Sequence, residues 1–252
     1  MVKGLDRFKE QFAPFAEQYM LIGGTACMVA LQKEGHEFRV TKDIDIVLTI
    51  EALDSNFAKA FWQFIKDGGY QNRQRSTGKK LFYRFYAPKD PAFPEMLELF
   101  SRKPEAIRLS EGGHLTPIPV NDEISSLSAI LLDEDYYRFI HEGKREIEGL
   151  SLVSPHHLIP LKARAWVDLS VRLAQGGAVD KKDIRKHKND VIRLYPLLPI
   201  SSRISLPPSV KRDMQVFLER IQDDPHVDLK NLVIKEISFN DIVRNLKQIY
   251  DL

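Results

Sequence analysis

The 252-residue chain is 43% hydrophobic and 29% charged, which is the composition of a soluble protein with apolar side chains enough for one large domain or two modest ones. Its formal net charge of +2 excludes a chain-wide basic coat for nucleic acid or membrane, so any basic surface must be local. The single cysteine, Cys27, excludes an internal disulfide framework, and its neighbours Ala26 and Met28 predict a buried thiol.

No apolar run is long enough to span a bilayer, and Lys3, Asp6, Arg7, Lys9 and Glu10 interrupt the N-terminus where a signal peptide would be apolar. A cytoplasmic protein with no membrane partner is the expectation. Leu5, Phe8, Phe12 and Phe15 recur at helical spacing and predict an amphipathic helix ending near Pro14. A short apolar strand, Met20-Leu21-Ile22, then breaks at Gly23-Gly24-Thr25. Glycines there let backbone N–H groups approach a phosphate at the start of the helix predicted over 26–33. Next comes Thr41-Lys42-Asp43-Ile44-Asp45-Ile46. On a strand, Asp43 and Asp45 share one face while Ile44 and Ile46 share the other. Two carboxylates that close repel one another unless a cation, usually divalent, neutralises them.

A helix predicted over 52–66 carries an apolar stripe from Leu53 to Ile65 and stops at Gly68-Gly69. The aromatic stretch 80–86 predicts a strand, and Pro88, Pro91 and Pro94 a rigid loop. In Met96-Leu97-Glu98-Leu99-Phe100 one acid sits at the centre of an apolar run. Glu98 therefore requires a cation or a functional partner. Runs at 128–132, 136–140 and 147–153 predict a β-rich extension over 115–153, with His114 and His141 solvated.

The pattern turns helical at Ser154-Pro155, an N-cap followed by proline at the first helical position. That helix runs to Gly176-Gly177. Asp180 caps a second one, with Asp183 placed for a capping box, and the two pack as an antiparallel hairpin. Pro207-Pro208 starts a third helix and Ser238 caps the last, with Asp241 three positions on. The hairpin is rich in cations. Lys162 lies among Ile159, Leu161, Ala163 and Ala165, where a lysine with a buried stem is aimed at an anion, whereas Lys181, Lys186 and Lys188 read as a solvated face.

Apolar-Gly-Gly, a helix and Asp-x-Asp between apolar residues, in that order, resemble the signature of the DNA polymerase β-like nucleotidyltransferases. Gly23-Gly24-Thr25-Ala26 and Thr41-Lys42-Asp43-Ile44-Asp45 are similar to the AbiEii/AbiGii toxin-type branch. So are Lys162-Ala-Arg-Ala-Trp and the stretch from Lys182 to Asp190. The resemblance covers about Tyr19 to Leu194 and is silent beyond Leu198. It implies an α/β (α+β) protein: a nucleotidyltransferase-fold mixed-sheet catalytic domain over 1–153, then a helical domain over 154–252.

The resemblance also implies a chemistry. An NTP is the substrate, and Mg²⁺ or Mn²⁺ sits on Asp43 and Asp45, with Glu98 in the third-carboxylate slot. Gly23, Gly24 and Thr25 hold phosphates through backbone N–H and hydroxyl. Lys162 contacts the triphosphate and Asp183 completes the active site, with Asp190 and Lys182 as weaker matches. A nucleoside monophosphate would pass to an acceptor hydroxyl, RNA by implication and a tRNA 3′ end in particular. The protein would be the toxin of a toxin–antitoxin or abortive-infection pair, with a cognate antitoxin protein. A small-molecule or protein acceptor, or a catalytically silent nucleotide-binding module, are the alternatives.

Overall fold

The apolar runs on either side of Asp43 assemble, in the computed structural model, into a mixed sheet of seven strands among the described residues, which are 2–49, 54–72, 82–100, 130–131, 133–223, 232 and 237–252. The strands are β1 (Tyr19–Ile22), β2 (Asp43–Leu48), β3 (Gln71–Asn72), β4 (Phe82–Tyr86), β5 (Met96–Phe100), β6 (Lys144–Ile147) and β7 (Leu150–Val153). Their order is β3-β4-β5-β2-β1-β7-β6. The pairs β2–β5 and β1–β7 are parallel and the others antiparallel. β1, β2 and β5 occupy the middle of the sheet. They are buried along almost their whole length, which is why they read as continuous apolar runs.

Two helices, α1 (Leu5–Phe12) and α3 (Ser55–Gly68), contribute to one aromatic core. Phe12 is fully buried, and its ring lies 4.5 to 6.2 Å from those of Phe8, Tyr19, Phe57, Phe61 and Phe64. Such ring pairs contribute roughly 0.5–1.5 kcal/mol each beyond area burial. Pro14 falls in a 3-10 turn directly after α1, as its missing N–H and fixed φ require. α3 begins after Asp54, whose side chain accepts from the N–H groups of Asn56 and Phe57 at 2.9 Å each. It ends on Gly69 at φ 61°, the left-handed cap.

α2 (Gly23–Lys33) starts earlier than expected, because both glycines lie in its first turn. Every residue from Gly23 to Leu31 is buried. Cys27 is among them, as predicted.

The chain divides into two units. The first comprises Met1–Ile124 and Lys144–Val153, and the second Ser125–Gly143 and Ser154–Leu252. The β-rich reading of 115–153 is thereby corrected in part. β6 and β7 form a hairpin whose turn, Glu148-Gly149, has positive φ at both residues, 52° and 77°, the type I′ geometry that matches strand twist. The segment before it is helical: α4 (Glu134–Glu142) belongs to the second unit. Asp133 caps it, and Tyr136, Tyr137, Phe139 and Ile140 bury one helical stripe. The apolar run at 136–140 that suggested a strand is a helix face. His141 packs its ring on Tyr137 at 4.3 Å and is not fully solvated. The expectations for residues 101–129, His114 included, for the start of the 128–132 run and for the first residues of the 80–86 strand lie outside the described residues.

The second unit is otherwise built from α5 (Pro155–Ala174), α6 (Lys181–Leu194), α7 (Pro208–Asp223) and α8 (Phe239–Ile249). Asp180 caps α6 by accepting from Lys182 N–H at 2.8 Å, whereas Asp183 turns to Lys186 and no capping box forms there. The box forms at α8, where Ser238 and Asp241 exchange side chain-to-backbone bonds. Ser154 heads α5, but its hydroxyl pairs with His157 Nδ1 at 2.8 Å rather than with a backbone N–H. Val210, Met214, Phe217, Leu218 and Ile221 of α7 are buried, as their spacing predicts. Among the described residues no helix is long and apolar enough to cross a membrane.

Asp54→Ala removes the acceptor for two first-turn N–H groups of α3. It is expected to lower stability by about 1 kcal/mol, read as a lower urea midpoint with an unchanged slope.

Candidate functional site

Asp43 opens β2 and Asp45 follows two residues on, so both carboxylates leave the same face of the strand. Strand register extends that face sideways. Asp45 pairs with Glu98 on parallel β5, and Glu98 pairs with Arg84 on antiparallel β4, which sets three charged residues in one row across adjacent strands. Asp43 is half-buried, while Asp45 and Glu98 are only 9% and 6% exposed.

The cation that Glu98 requires is a protein side chain. Arg84 donates from Nε to Glu98 Oε1 at 2.8 Å, with a second guanidinium nitrogen 2.6 Å from the same oxygen. Glu98 is thus the partner of Arg84, which meets the requirement of its buried charge for a cation. The signal for Arg84 was present, since it is the one charge within Phe82-Tyr83-Arg84-Phe85-Tyr86. What the sequence withheld was the register that sets it opposite Glu98.

Gly23 determines how close α2 comes to the Asp pair. It has φ 67°, and a Cβ on it would lie 1.7 Å from Asp45 Oδ2. Only a residue without a side chain brings the first turn of α2 against that carboxylate. Gly24 is equally confined: its Cβ would stand 2.6 Å from Thr41 Oγ1 and 3.5 Å from a guanidinium nitrogen of Arg39. The N-cap residue of α2 is Ile22, whose apolar side chain offers no cap. Thr25 is held by the strand that carries the Asp pair. It is fully buried, and its hydroxyl donates to the carbonyl of Asp43 at 2.6 Å. The hydroxyl ties α2 to the start of β2. Arg39, half-buried with its guanidinium 5.0 Å from the Phe38 ring, is a further cation beside Gly24 that the sequence reading passed over.

Metal fit follows from the donor set. Among the described residues no group of three His, Cys, Asp or Glu side chains converges to hold an ion. Mg²⁺, however, is commonly held by one or two carboxylates together with substrate phosphates and water. Asp43 and Asp45, hard oxygen donors on one strand face beside a glycine, suit that mode.

In the second unit Lys162 is 1% exposed, and its Nζ lies 3.1 Å from Asp190 Oδ2, itself wholly buried. Arg193 approaches the other oxygen of Asp190 at 3.8 Å. The ammonium expected at the surface is therefore inside the α5–α6 hairpin. Its acid is Asp190, in the third turn of α6, where the helix faces α5. Asp183, in the first turn, is half-exposed and pairs with Lys186 at 2.8 Å. Arg164, named only within the basic stretch, donates to Asp213 at 2.7 Å, and Tyr136 donates to the other oxygen of Asp213 at 2.9 Å. Burial first, and then the Asp213 charge, push the Tyr136 phenol far above its usual range.

No protein-family model matches the sequence, and no curated protein is significantly similar to it. Among solved structures, an antigenic nucleotidyltransferase-like protein from Paracoccidioides brasiliensis is similar with a TM-score of 0.43 and 16% identity, over 94% of this chain and 96% of that one. The Megavirus polyadenylate synthase is similar with a TM-score of 0.43 and 14% identity, over 87% of this chain and 36% of that one. This chain thus spans about a third of the length of the viral enzyme. At these scores the chemistry has to be read from the residues of the chain itself.

Two substitutions test the local architecture. Gly23→Ala is expected to displace the Asp45 carboxylate and to cost about 1–3 kcal/mol, measured by urea unfolding. Asp190→Asn strands Lys162 as a buried charge and is expected to cost about 3–5 kcal/mol, whereas Lys162→Met combined with Asp190→Leu recovers most of that loss.

Proposed function

We propose that the chain is a metal-dependent nucleotidyltransferase that moves a nucleoside monophosphate from an NTP to an acceptor hydroxyl. The observation that carries this reading is the meeting of Asp43 and Asp45 with the glycine-opened first turn of α2, where the missing Cβ of Gly23 leaves room for the Asp45 carboxylate. Carboxylates at a helix N-terminus, where backbone N–H groups attract anions, form a place for a metal–polyphosphate. Asp43 and Asp45 supply oxygen ligands to Mg²⁺ or Mn²⁺. The bound ion would make the attacking hydroxyl more acidic and offset charge on the departing pyrophosphate. The N–H groups of α2 and the Arg39 guanidinium meet the phosphates. Arg84 balances the charge of Glu98 and so limits the repulsion within the carboxylate row. Lys162 and Asp190 hold the hairpin together, and the phosphate contact first read for Lys162 passes in this proposal to Arg39.

For the acceptor, the concentration of cations on α6 within a nearly neutral chain favours a polyanion, and RNA with a free 3′ hydroxyl, such as tRNA, is the acceptor proposed. The likeness of the motifs to toxin-type enzymes extends the proposal to a toxin restrained by an antitoxin protein. Labelled NTPs offered with tRNA, with protein extract and with small hydroxyl compounds test it. Label is expected in RNA, lost in Asp43→Ala and in Asp45→Ala. Label in protein or in a small molecule alone would replace the acceptor. One observation favours a second reading, a nucleotide-binding module without turnover: Glu98, in the third-carboxylate slot, is already engaged by Arg84. Metal-dependent NTP binding with no transfer to any acceptor would establish it.

A further inference from the structure

Near the start of α4 a cavity of about 310 Å³ opens between α4, α5 and α7, all of them in the second unit. Its lining is mostly charged, and most of those charges already have a partner. Arg164 donates to one oxygen of Asp213 at 2.7 Å and Tyr136 to the other at 2.9 Å, which fixes one wall. Asp133 accepts from the N–H groups of Asp135 and Tyr136 at 2.9 and 3.3 Å, so its carboxylate faces the positive end of α4. Two charges remain. Asp168 is half-buried on α5, Arg212 is exposed on α7, and both line the same cavity. Among the described residues neither forms an ion pair, with the other or with a neighbour.

We propose that this cavity binds a free α-amino acid, with the ammonium on Asp168 and the carboxylate on Arg212. A simple anion would suit Arg212 and meet repulsion from Asp168, and a simple cation would do the reverse. An uncharged ligand would cover part of both charges without pairing either. A zwitterion matches the two at once, and a guanidinium holds a carboxylate through two parallel N–H bonds. A nucleobase also carries donors and acceptors, but it gains most from an aromatic face to stack on. The one aromatic residue among the described lining is Tyr136, which is buried and engaged with Asp213. The volume lies at the lower end of small-ligand sites, roughly 300–1,000 Å³. The site uses neither Asp43 nor Asp45, so the inference stands apart from the proposed nucleotidyl transfer.

Isothermal calorimetry on the full chain, with the proteinogenic L-amino acids supplied singly and no NTP or metal present, tests the site. At least one is expected to bind saturably with a Kd of about 1 mM or tighter. The decarboxylated amine and the N-acetyl derivative of that amino acid then separate its two charges. Each is expected to bind about tenfold more weakly or worse. Arg212→Gln is expected to abolish the preference over the amine while keeping the preference over the N-acetyl derivative, and Asp168→Asn the reverse. Both substitutions nearly preserve side-chain size, and circular dichroism verifies the fold. Arg220→Gln removes an exposed cation further along α7 and is expected to leave affinity within about twofold. Saturable binding by none of the amino acids would overturn the proposal. So would an amine or N-acetyl derivative that binds as well as its parent, or equal losses in Arg212→Gln and Arg220→Gln. Guanosine binding more tightly than any amino acid would also overturn it, in favour of a base.

Discussion

A carboxylate sealed at the centre of a sheet repels its neighbours unless the surrounding charges compensate, and Asp45 imposes that condition on the first unit. Glu98 lies beside it in register and would add a second negative charge in a setting nearly closed to water. Arg84 offsets the charge of Glu98 from the next strand. On the other side of Asp45, β1 ends and turns directly into α2 through Gly23. This presents the electropositive end of a helix to the carboxylate with no side chain between them. Thr25 then ties the helix to the carbonyl of Asp43, so helix and carboxylate strand hold a common position. Two strand registers, one glycine and one hydroxyl thus serve a single electrostatic requirement.

This arrangement also gives the aromatic core a functional reason. The ring cluster from α1 and α3 surrounds Phe12 and reaches β1 at Tyr19 and β4 at Phe85. These strands lead to the glycine pair and to Arg84 respectively. Close packing makes such an interior resist small displacements, and charged groups separated by less than 3 Å lose their complementarity if one strand slips. Rigidity supplied far from the chemistry is what keeps the charged row aligned.

The second unit resolves its charges differently. Its buried ion pair, Lys162 with Asp190, lies inside the hairpin, and breaking either half leaves a charge without compensation. Its other ion pairs, Arg164 with Asp213 and Lys186 with Asp183, consume cations that look available in the sequence. The basic face that remains is narrower than the count of lysines suggests.

By itself the sequence determined the local elements and the shared strand face of the Asp pair. Period-two alternation sets Asp43 and Asp45 on one face, proline and glycine mark where α1 ends and α3 stops, and helical spacing marks the buried stripes of α7. Each of these follows from interactions within a few residues of chain. Tertiary structure alone decided the partners. Glu98 meets Arg84 through strand register, Lys162 meets Asp190 through the packing of one helix against another, and the Thr25 hydroxyl turns to a backbone carbonyl. The helix Glu134–Glu142 belongs to the same class, because Tyr136, Phe139 and Ile140 suit a strand or a helix until a neighbouring surface selects the period. A charge in the sequence states only that it needs compensation, and which group supplies it depends on residues far along the chain that folding brings within 3 Å or so.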